Sequence, residues 1–270
     1  MNRIFIILVL GLYYANEMHA QLAIKEPDFN SKNIFKSIFR GQFLEESKIQ
    51  KWPMSQTQAF EMSSYVDANH FAYSSIDSIL DLKIDSNEFK IVVFKTYPVD
   101  STGAIQEYMA AIPKIGLAFY LKQNGVYQLE SFKLTVINGY HNLISTDYRL
   151  EFIGPSIVAI VLKEETHQDL GKEFWVDLSN DFKTFLSYDY LSLLQGEKTS
   201  LIENSIEIIK TENEYYDFIL NSKITPSDLL DSEKASKIKP VKTKLIFNNT
   251  DMMQHVQIPF GYSIQQKINN

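Results

Sequence analysis

The sequence predicts a mainly β protein (a β-rich α+β fold), an antiparallel meander or sandwich of about ten strands with one or two N-terminal helices. Three observations favour this class: an Asn-Gly hairpin signal, two runs that are apolar on both faces, and strand patterns repeated at short intervals without helices between them. No fixed repeat period occurs, so neither a propeller nor a solenoid is indicated.

The strongest local signal is Asn124-Gly125, because this dipeptide is preferred in tight β-hairpin turns. A two-residue loop would place Phe119 opposite Glu130. A three-residue loop, with the glycine in a bulge, would place Phe119 opposite Leu129 instead. Since the second register collects the apolar side chains on one face, we predict the three-residue loop.

Two stretches, residues 89–97 and 157–162, are apolar on both faces, which is typical of central strands covered from both sides. A second sheet, or a helix behind a single sheet, would supply that cover. Burial of their aliphatic side chains would contribute strongly to folding. The predicted core residues of these strands are Ile91, Val93, Val158 and Ile160.

Shorter strand patterns occupy much of the remaining chain. They lie at residues 147–153, 174–178, 182–190, 206–210, 215–220, 243–247 and 256–260. Residues 74–83 fit either a helix or a strand. The long segment 98–113 and the polar, proline-bounded segment 222–240 are predicted to be loops, the second of them mobile.

Two helices are predicted before the first long strand. The first begins at Ser31, ends at Gly41, and carries a basic stripe beside an apolar one. Such a helix could lie on a membrane surface, but its short length favours packing of the apolar stripe on the domain. The second begins with a capping box, because Ser55 is followed three residues later by Gln58.

The predicted organisation is a cleaved signal peptide at residues 1–20, an extension with the short helix at 21–53, one β-rich domain at 54–264 and a frayed tail at 265–270. The leader has a basic start, an apolar stretch too short to cross a bilayer, and a cleavage site after Ala20. We therefore expect a periplasmic or secreted protein that has no transmembrane anchor after cleavage.

The chain contains no cysteine and has a formal net charge of −7. Its stability must therefore come from a packed core, although exported proteins usually meet an oxidising compartment. A net-acidic chain also lacks the electrostatic footprint of a nucleic-acid-binding protein.

Tyrosines near strand ends are the first candidates for a site, because exposed aromatic rings stack on sugars or anchor protein partners. These candidate ligand-binding residues are Tyr188, Tyr190, Tyr215 and Tyr216. The common alternative is that strand tyrosines only pack across the pleat.

An acidic cluster between two predicted strands is the second candidate, since carboxylate and imidazole groups bind divalent cations. Its candidate metal ligands are Glu164, Glu165, His167 and Asp169. The spacing matches no metal motif, and a charged turn explains the cluster without a metal.

Motifs of nucleophilic, zinc-dependent and phosphate-binding enzymes are all absent from the sequence, and no cofactor is predicted. The sequence therefore favours an exported, non-catalytic protein of bacterial type, a binding or envelope-associated module whose partner is a protein or a glycan. The alternative is an unrecognised hydrolase that uses carboxylates and a histidine, because a fold can assemble catalytic groups from distant segments. A purely structural envelope protein is the third possibility, and it would show a large apolar surface.

Overall fold

Consecutive strands pair with one another along most of the chain and form two antiparallel sheets. The computed structural model describes residues 23–55, 57–58, 71–99, 114–137, 143–144, 148–165, 171–194, 200–230, 233–250 and 261–268. Within these ranges the protein is mainly β and carries an N-terminal helix, as the sequence predicts.

Sheet A is built from the first half of the chain. Its strands are β1 Ile24–Lys25, β2 Gln42–Leu44, β3 Ile49–Pro53, β4 Phe71–Ile84, β5 Asn87–Val99, β6 Lys114–Gln123 and β7 Val126–Ile137. Their order is β1-β7-β6-β5-β4-β3-β2. Helix α1, Ser31–Ile38, lies between β1 and β2 in the chain. The segment predicted as an extension therefore supplies a helix and three strands of this sheet.

Sheet B is built from the second half. Its strands are β8 Leu143–Ile144, β9 Arg149–Phe152, β10 Val158–Glu165, β11 Gly171–Asp177, β12 Lys183–Leu194, β13 Ser200–Ile209, β14 Asp217–Pro226, β15 Val241–Thr250 and β16 Gly261–Ile268. From β10 to β16 the spatial order follows the chain, and both β8 and β9 pair with the other edge of β10.

The two sheets pack face to face around an inner apolar cluster. Sheet A contributes side chains of β5 and β6, and sheet B contributes side chains of β10 and β11. The four predicted core residues all belong to this cluster and are at most 2% exposed, which confirms the prediction. Alternation explains the arrangement, since every second residue of a strand points to the same face.

The opposite face of sheet A is covered by helix α1. Ile34 and Phe35 of the helix are fully buried, and Phe39, just after it, stacks on Trp52 with ring centroids 4.4 Å apart. The predicted packing of the apolar stripe is therefore confirmed. The cap is Asn30 rather than Ser31, because the Asn30 side chain accepts a hydrogen bond from the backbone N–H of the third helical residue. Among the described residues, no helix is long and apolar enough to cross a membrane.

Sheet B folds over on itself, so that its second face also encloses an apolar cluster. The first part of β12 pairs with β11, whereas only its last residues, from Leu191, pair with β13. This change of partner brings Phe218 of β14 onto Trp175 of β11, with centroids 6.0 Å apart in an edge-to-face contact. The backbone N–H of Tyr216 then donates to the carbonyl of Ile153, 2.8 Å away, and closes the fold on the other side.

The Asn124-Gly125 hairpin is present, but its predicted register is wrong. The loop has two residues, both with positive φ (52° and 79°), and Gln123 pairs directly with Val126. A bulge then skips Glu130, so that Phe119 faces Ser131. The prediction assumed one apolar face, whereas sheet A is covered on both faces, and Tyr120, on the face opposite Phe119, is fully buried beneath α1.

Other predictions have mixed outcomes. Residues 74–83 are a strand, part of β4, and residues 222–226 continue β14 rather than beginning a mobile loop. The Ser55–Gln58 capping box is confirmed in both directions, with N···O distances of 2.9 and 3.2 Å. Strand β16 includes residues 265–268, for which fraying was predicted. The leader, the body of the second helix, most of loop 98–113 and the predicted strand 256–260 lie outside the described residues.

Candidate functional site

Polar side chains converge inside the fold of sheet B, next to its apolar cluster. Arg149 on β9 faces Val161 of β10, which faces Trp175 of β11. Glu173, two residues before Trp175, lies on the same face and pairs with Tyr188 of β12. Alternation along β9, β11 and β12 thus directs an arginine, a glutamate and two aromatic side chains into one interior layer.

The Glu173 carboxylate is surrounded by donors. Arg149 binds it through both terminal nitrogens, at 3.0 Å to Oε1 and 2.9 Å to Oε2. The Tyr188 hydroxyl donates to Oε2 at 2.6 Å, and the Trp175 indole N–H donates to the same oxygen at 3.2 Å. Lys163 Nζ lies 3.7 Å from Oε1. With a side chain only 6% exposed, Glu173 has its charge compensated within the protein.

These contacts move the pKa values of the cluster away from neutrality. Burial alone would raise the pKa of Glu173, but the hydrogen bonds from Arg149 and Tyr188 and the arginine charge outweigh it, so the pKa lies below its ordinary value. Burial and the acceptor Glu173 both raise the pKa of Tyr188. The carboxylate therefore stays ionised and the phenol stays neutral across the physiological range.

The rim of this layer is cationic and aromatic. Lys163 Nζ lies 5.3 Å from the centre of the Tyr190 ring, and Tyr190 lies against Gly171, where any Cβ would overlap the ring. The Arg149 guanidinium also lies over Trp175, 5.6 Å from its ring centre, and its Nε donates to Glu151 at 3.1 Å. Tyr190 is therefore a packed side chain held by a cation and a glycine.

A second buried carboxylate, Asp177, lies on the same face of β11. Its Oδ1 accepts from the backbone N–H and the hydroxyl of Ser179, at 2.8 and 2.7 Å, and its Oδ2 accepts from the Tyr215 hydroxyl at 2.9 Å. Burial and the neighbouring Asp177 raise the pKa of Tyr215. This group fastens the start of β14 to β11 and so helps to close the fold of sheet B.

A third cluster joins the two sheets. Asp77 is the extra residue of a bulge in β4. Its carboxylate accepts a hydrogen bond from the Tyr148 hydroxyl and forms an ion pair with Lys95, with Nζ 2.7 Å from Oδ1. Both side chains of the ion pair are less than 20% exposed. Burial, followed by the contact with Asp77, raises the pKa of Tyr148. The bulge thus presents a carboxylate to the chain segment that enters sheet B.

Comparison of the chain with known protein families, curated proteins and solved structures found no match.

The predicted tyrosines are distributed between two of these clusters. Tyr188 bonds to Glu173 and Tyr215 bonds to Asp177, both with half-buried side chains. Tyr190 packs at the rim, and Tyr216 is 8% exposed. The structure thus places two of the four hydroxyls on buried carboxylates.

The predicted metal ligands are only partly described. Glu164 is 7% exposed on β10, and Glu165 is the last residue of that strand, while His167 and Asp169 lie outside the described residues. Within the described ranges, no group of three acidic or histidine side chains is arranged to hold a metal ion.

Sequence reasoning missed Arg149, Glu173 and Asp77. Glu173, Trp175 and Asp177 alternate along one strand, and this period of two was the available signal that two acidic residues share a face with a buried tryptophan. Asp77 had no such signal, because a bulge reverses the faces of the residues that follow it.

Proposed function

We propose that the protein is an exported, non-catalytic binding module, associated with the bacterial envelope, and that its partner is a protein. The non-catalytic part of this proposal rests on one observation, the hydrogen bonds that Arg149, Tyr188 and Trp175 donate to Glu173. A carboxylate that already accepts from three side chains is a fixed structural anion and has little capacity to bind or protonate a substrate.

The pKa directions support the same conclusion. A general acid or base works best when its pKa lies near the working pH, and enzymes raise the pKa of a glutamate to achieve this. Here the pKa of Glu173 is lowered, and the pKa values of Tyr148, Tyr188 and Tyr215 are raised. All four shifts move the groups away from proton transfer at neutral pH.

A protein partner is favoured by neighbouring aliphatic side chains that remain exposed on sheet B. The face of sheet B that carries Phe218 extends beyond its apolar cluster. On this face Ile202 pairs with Ile224, and Val241 pairs with Ser222. Ile224 is 44% exposed and Val241 is 42% exposed. Aliphatic side chains on a sheet suit a protein surface, whereas sugar stacking needs the free face of an aromatic ring.

Affinity capture tests the proposal. The mature chain, residues 21–270, is immobilised and exposed to a bacterial envelope extract, and the retained protein is quantified against the immobilised amount. We expect saturable, stoichiometric retention that Ile224→Glu abolishes. Phe152→Glu is the matched control, since Phe152 is 41% exposed on β9, and it should retain the partner.

Hydrolysis assays test the alternative with the same protein. Chromogenic ester, glycoside and peptide substrates should be turned over no faster than in buffer. Turnover that Glu173→Gln abolishes and Glu151→Gln preserves would replace the binding proposal with a carboxylate-dependent hydrolase. The four mature-chain histidines that such an enzyme could use, His70, His141, His167 and His255, lie outside the described residues.

A further inference from the structure

Strand β4 has a long edge that no other strand covers in the described part of the chain. Strand β3 pairs with β4 only between Phe71 and Ser75. Residues 78–84 continue the strand and pair with β5 on one side alone. An unpaired edge offers a row of backbone donors and acceptors and is a template for a strand of another molecule.

The side chains of this edge are regular. Leu80, Leu82 and Ile84 point to the inner apolar cluster between the sheets. The residues between them, Asp81 and Lys83, are exposed on the other face. The Asp81 side chain is 78% exposed even though it pairs with Lys90 of β5 at 2.5 Å. One negative and one positive charge therefore stand two residues apart on an open edge, on either side of Leu82.

This charge pattern is complementary to itself. When two identical strands pair antiparallel about a two-fold axis, directly opposite residues share a face, so the axis must pass beside one residue. With Leu82 at the axis, Asp81 faces Lys83 of the second copy twice, and Leu80 faces Ile84. With Asp81 or Lys83 at the axis, identical charges face each other, which is unfavourable.

We propose that the edge of β4 is an interface between two copies of this chain, paired antiparallel with Leu82 at the two-fold axis. The contact continues sheet A of one copy into sheet A of the other and joins their inner apolar faces. It covers only residues 80–84 of each strand, so the interface is small. We therefore expect weak association and a dimer population that rises with protein concentration. This inference is independent of the proposed partner on sheet B.

Sedimentation equilibrium of two charge-reversal variants tests the proposal. Asp81→Lys places a lysine opposite Lys83 of an identical copy, and Lys83→Glu places a glutamate opposite Asp81. Each variant alone should self-associate roughly tenfold more weakly than the wild type, or more weakly still. In a mixture of the two, both cross-strand pairs become attractive again, so the mixed dimer should form with near wild-type affinity.

Controls separate this interface from a general effect of charge. Lys237→Glu makes the same charge change at the exposed end of a short 3-10 helix and should dimerise like the wild type. Lys83→Gln removes the charge without opposing Glu88, its neighbour on β5, and should weaken the dimer less than Lys83→Glu. Circular dichroism confirms that each variant is folded.

Three results would overturn the proposal. The wild type could remain monomeric at every concentration. Lys83→Glu could dimerise as tightly as Lys237→Glu, which would place the interface elsewhere. The folded variants could fail to associate when mixed, which would exclude the Asp81–Lys83 register.

Discussion

Four side chains direct donors or positive charge at Glu173: Arg149, Tyr188, Trp175 and Lys163. The effect of such a buried charge on stability appears mainly when the charge is removed, because its partners are then left without an opposite charge. The layer is therefore a structural anchor for β9, β10, β11 and β12, which all contribute a side chain to it.

The substitution Glu173→Gln should lower the free energy of unfolding by about 2–3 kcal/mol, because Arg149 and Lys163 keep their charges without an opposing carboxylate. The partial exposure of Arg149, 38% of its side chain, keeps the loss below that of a fully buried pair. Urea denaturation measures the difference. Glu151→Gln is the matched control, since Glu151 is 34% exposed, and it should cost about 1 kcal/mol or less.

The same variant should change the response to acid. Because the pKa of Glu173 is lower in the folded protein than its ordinary value of 4.5, its stabilising effect is complete above that value and is lost as the pH falls below it. Unfolding measured from neutral to acidic pH should show a decline that is smaller in Glu173→Gln. Identical slopes for the wild type and the variant would contradict the lowered pKa.

At the scale of elements, strands β5 and β10 could be predicted because burial on both faces leaves a continuous apolar run in the sequence. The register of the β6–β7 hairpin could not be predicted, because a bulge skips Glu130 and because Tyr120 packs against a helix that lies outside the hairpin. Local patterns identify a strand, but its pairing depends on what packs against each face.

The candidate site shows the same limit. Tyr188 and Tyr215 could be selected as aromatic residues near strand ends, but the acceptors of their hydroxyls come from β11, on another part of the chain. The bend in sheet B that joins these partners results from a change of neighbour along β12. Nothing in a single strand's sequence specifies such a change.

Helix α1 yields a prediction that separates packing from membrane binding. Phe35→Ala should lower the free energy of unfolding by about 3–5 kcal/mol, because the ring is fully buried between α1 and β5. Lys36→Ala, one residue later on the exposed side, should change it by less than about 0.5 kcal/mol. Urea denaturation of both variants measures these values. Equal, small effects would mean that the apolar stripe does not support sheet A.

At the scale of the whole molecule, three apolar clusters and a few buried polar contacts hold the described chain together, and the sequence has no cysteine. Asp77 binds Lys95 within sheet A and Tyr148 at the entry to sheet B, and Lys133 of β7 donates to the carbonyl of Asp181, 3.1 Å away. The contacts of Asp77 with Tyr148 and of Lys133 with Asp181 join the sheets without a disulfide. Their strength does not depend on the redox state of the compartment, which is compatible with the export that we propose.

Processing of the leader is the prediction that belongs to this scale. Strand β1 begins at Ile24, so cleavage after Ala20 would remove no residue of sheet A. When the full chain is produced in a bacterium, intact-mass measurement of the envelope fraction should find a product that begins at Gln21. Leu8→Arg interrupts the apolar stretch of the leader, and it should leave an uncleaved precursor in the cytoplasm. Leu230→Arg makes the same substitution at a 41% exposed position of the mature chain and should be processed normally.

Two outcomes would contradict this prediction. Export of a Leu8→Arg product that begins at Gln21 would show that the apolar stretch is not the export signal. An uncleaved wild type would show that the leader is retained.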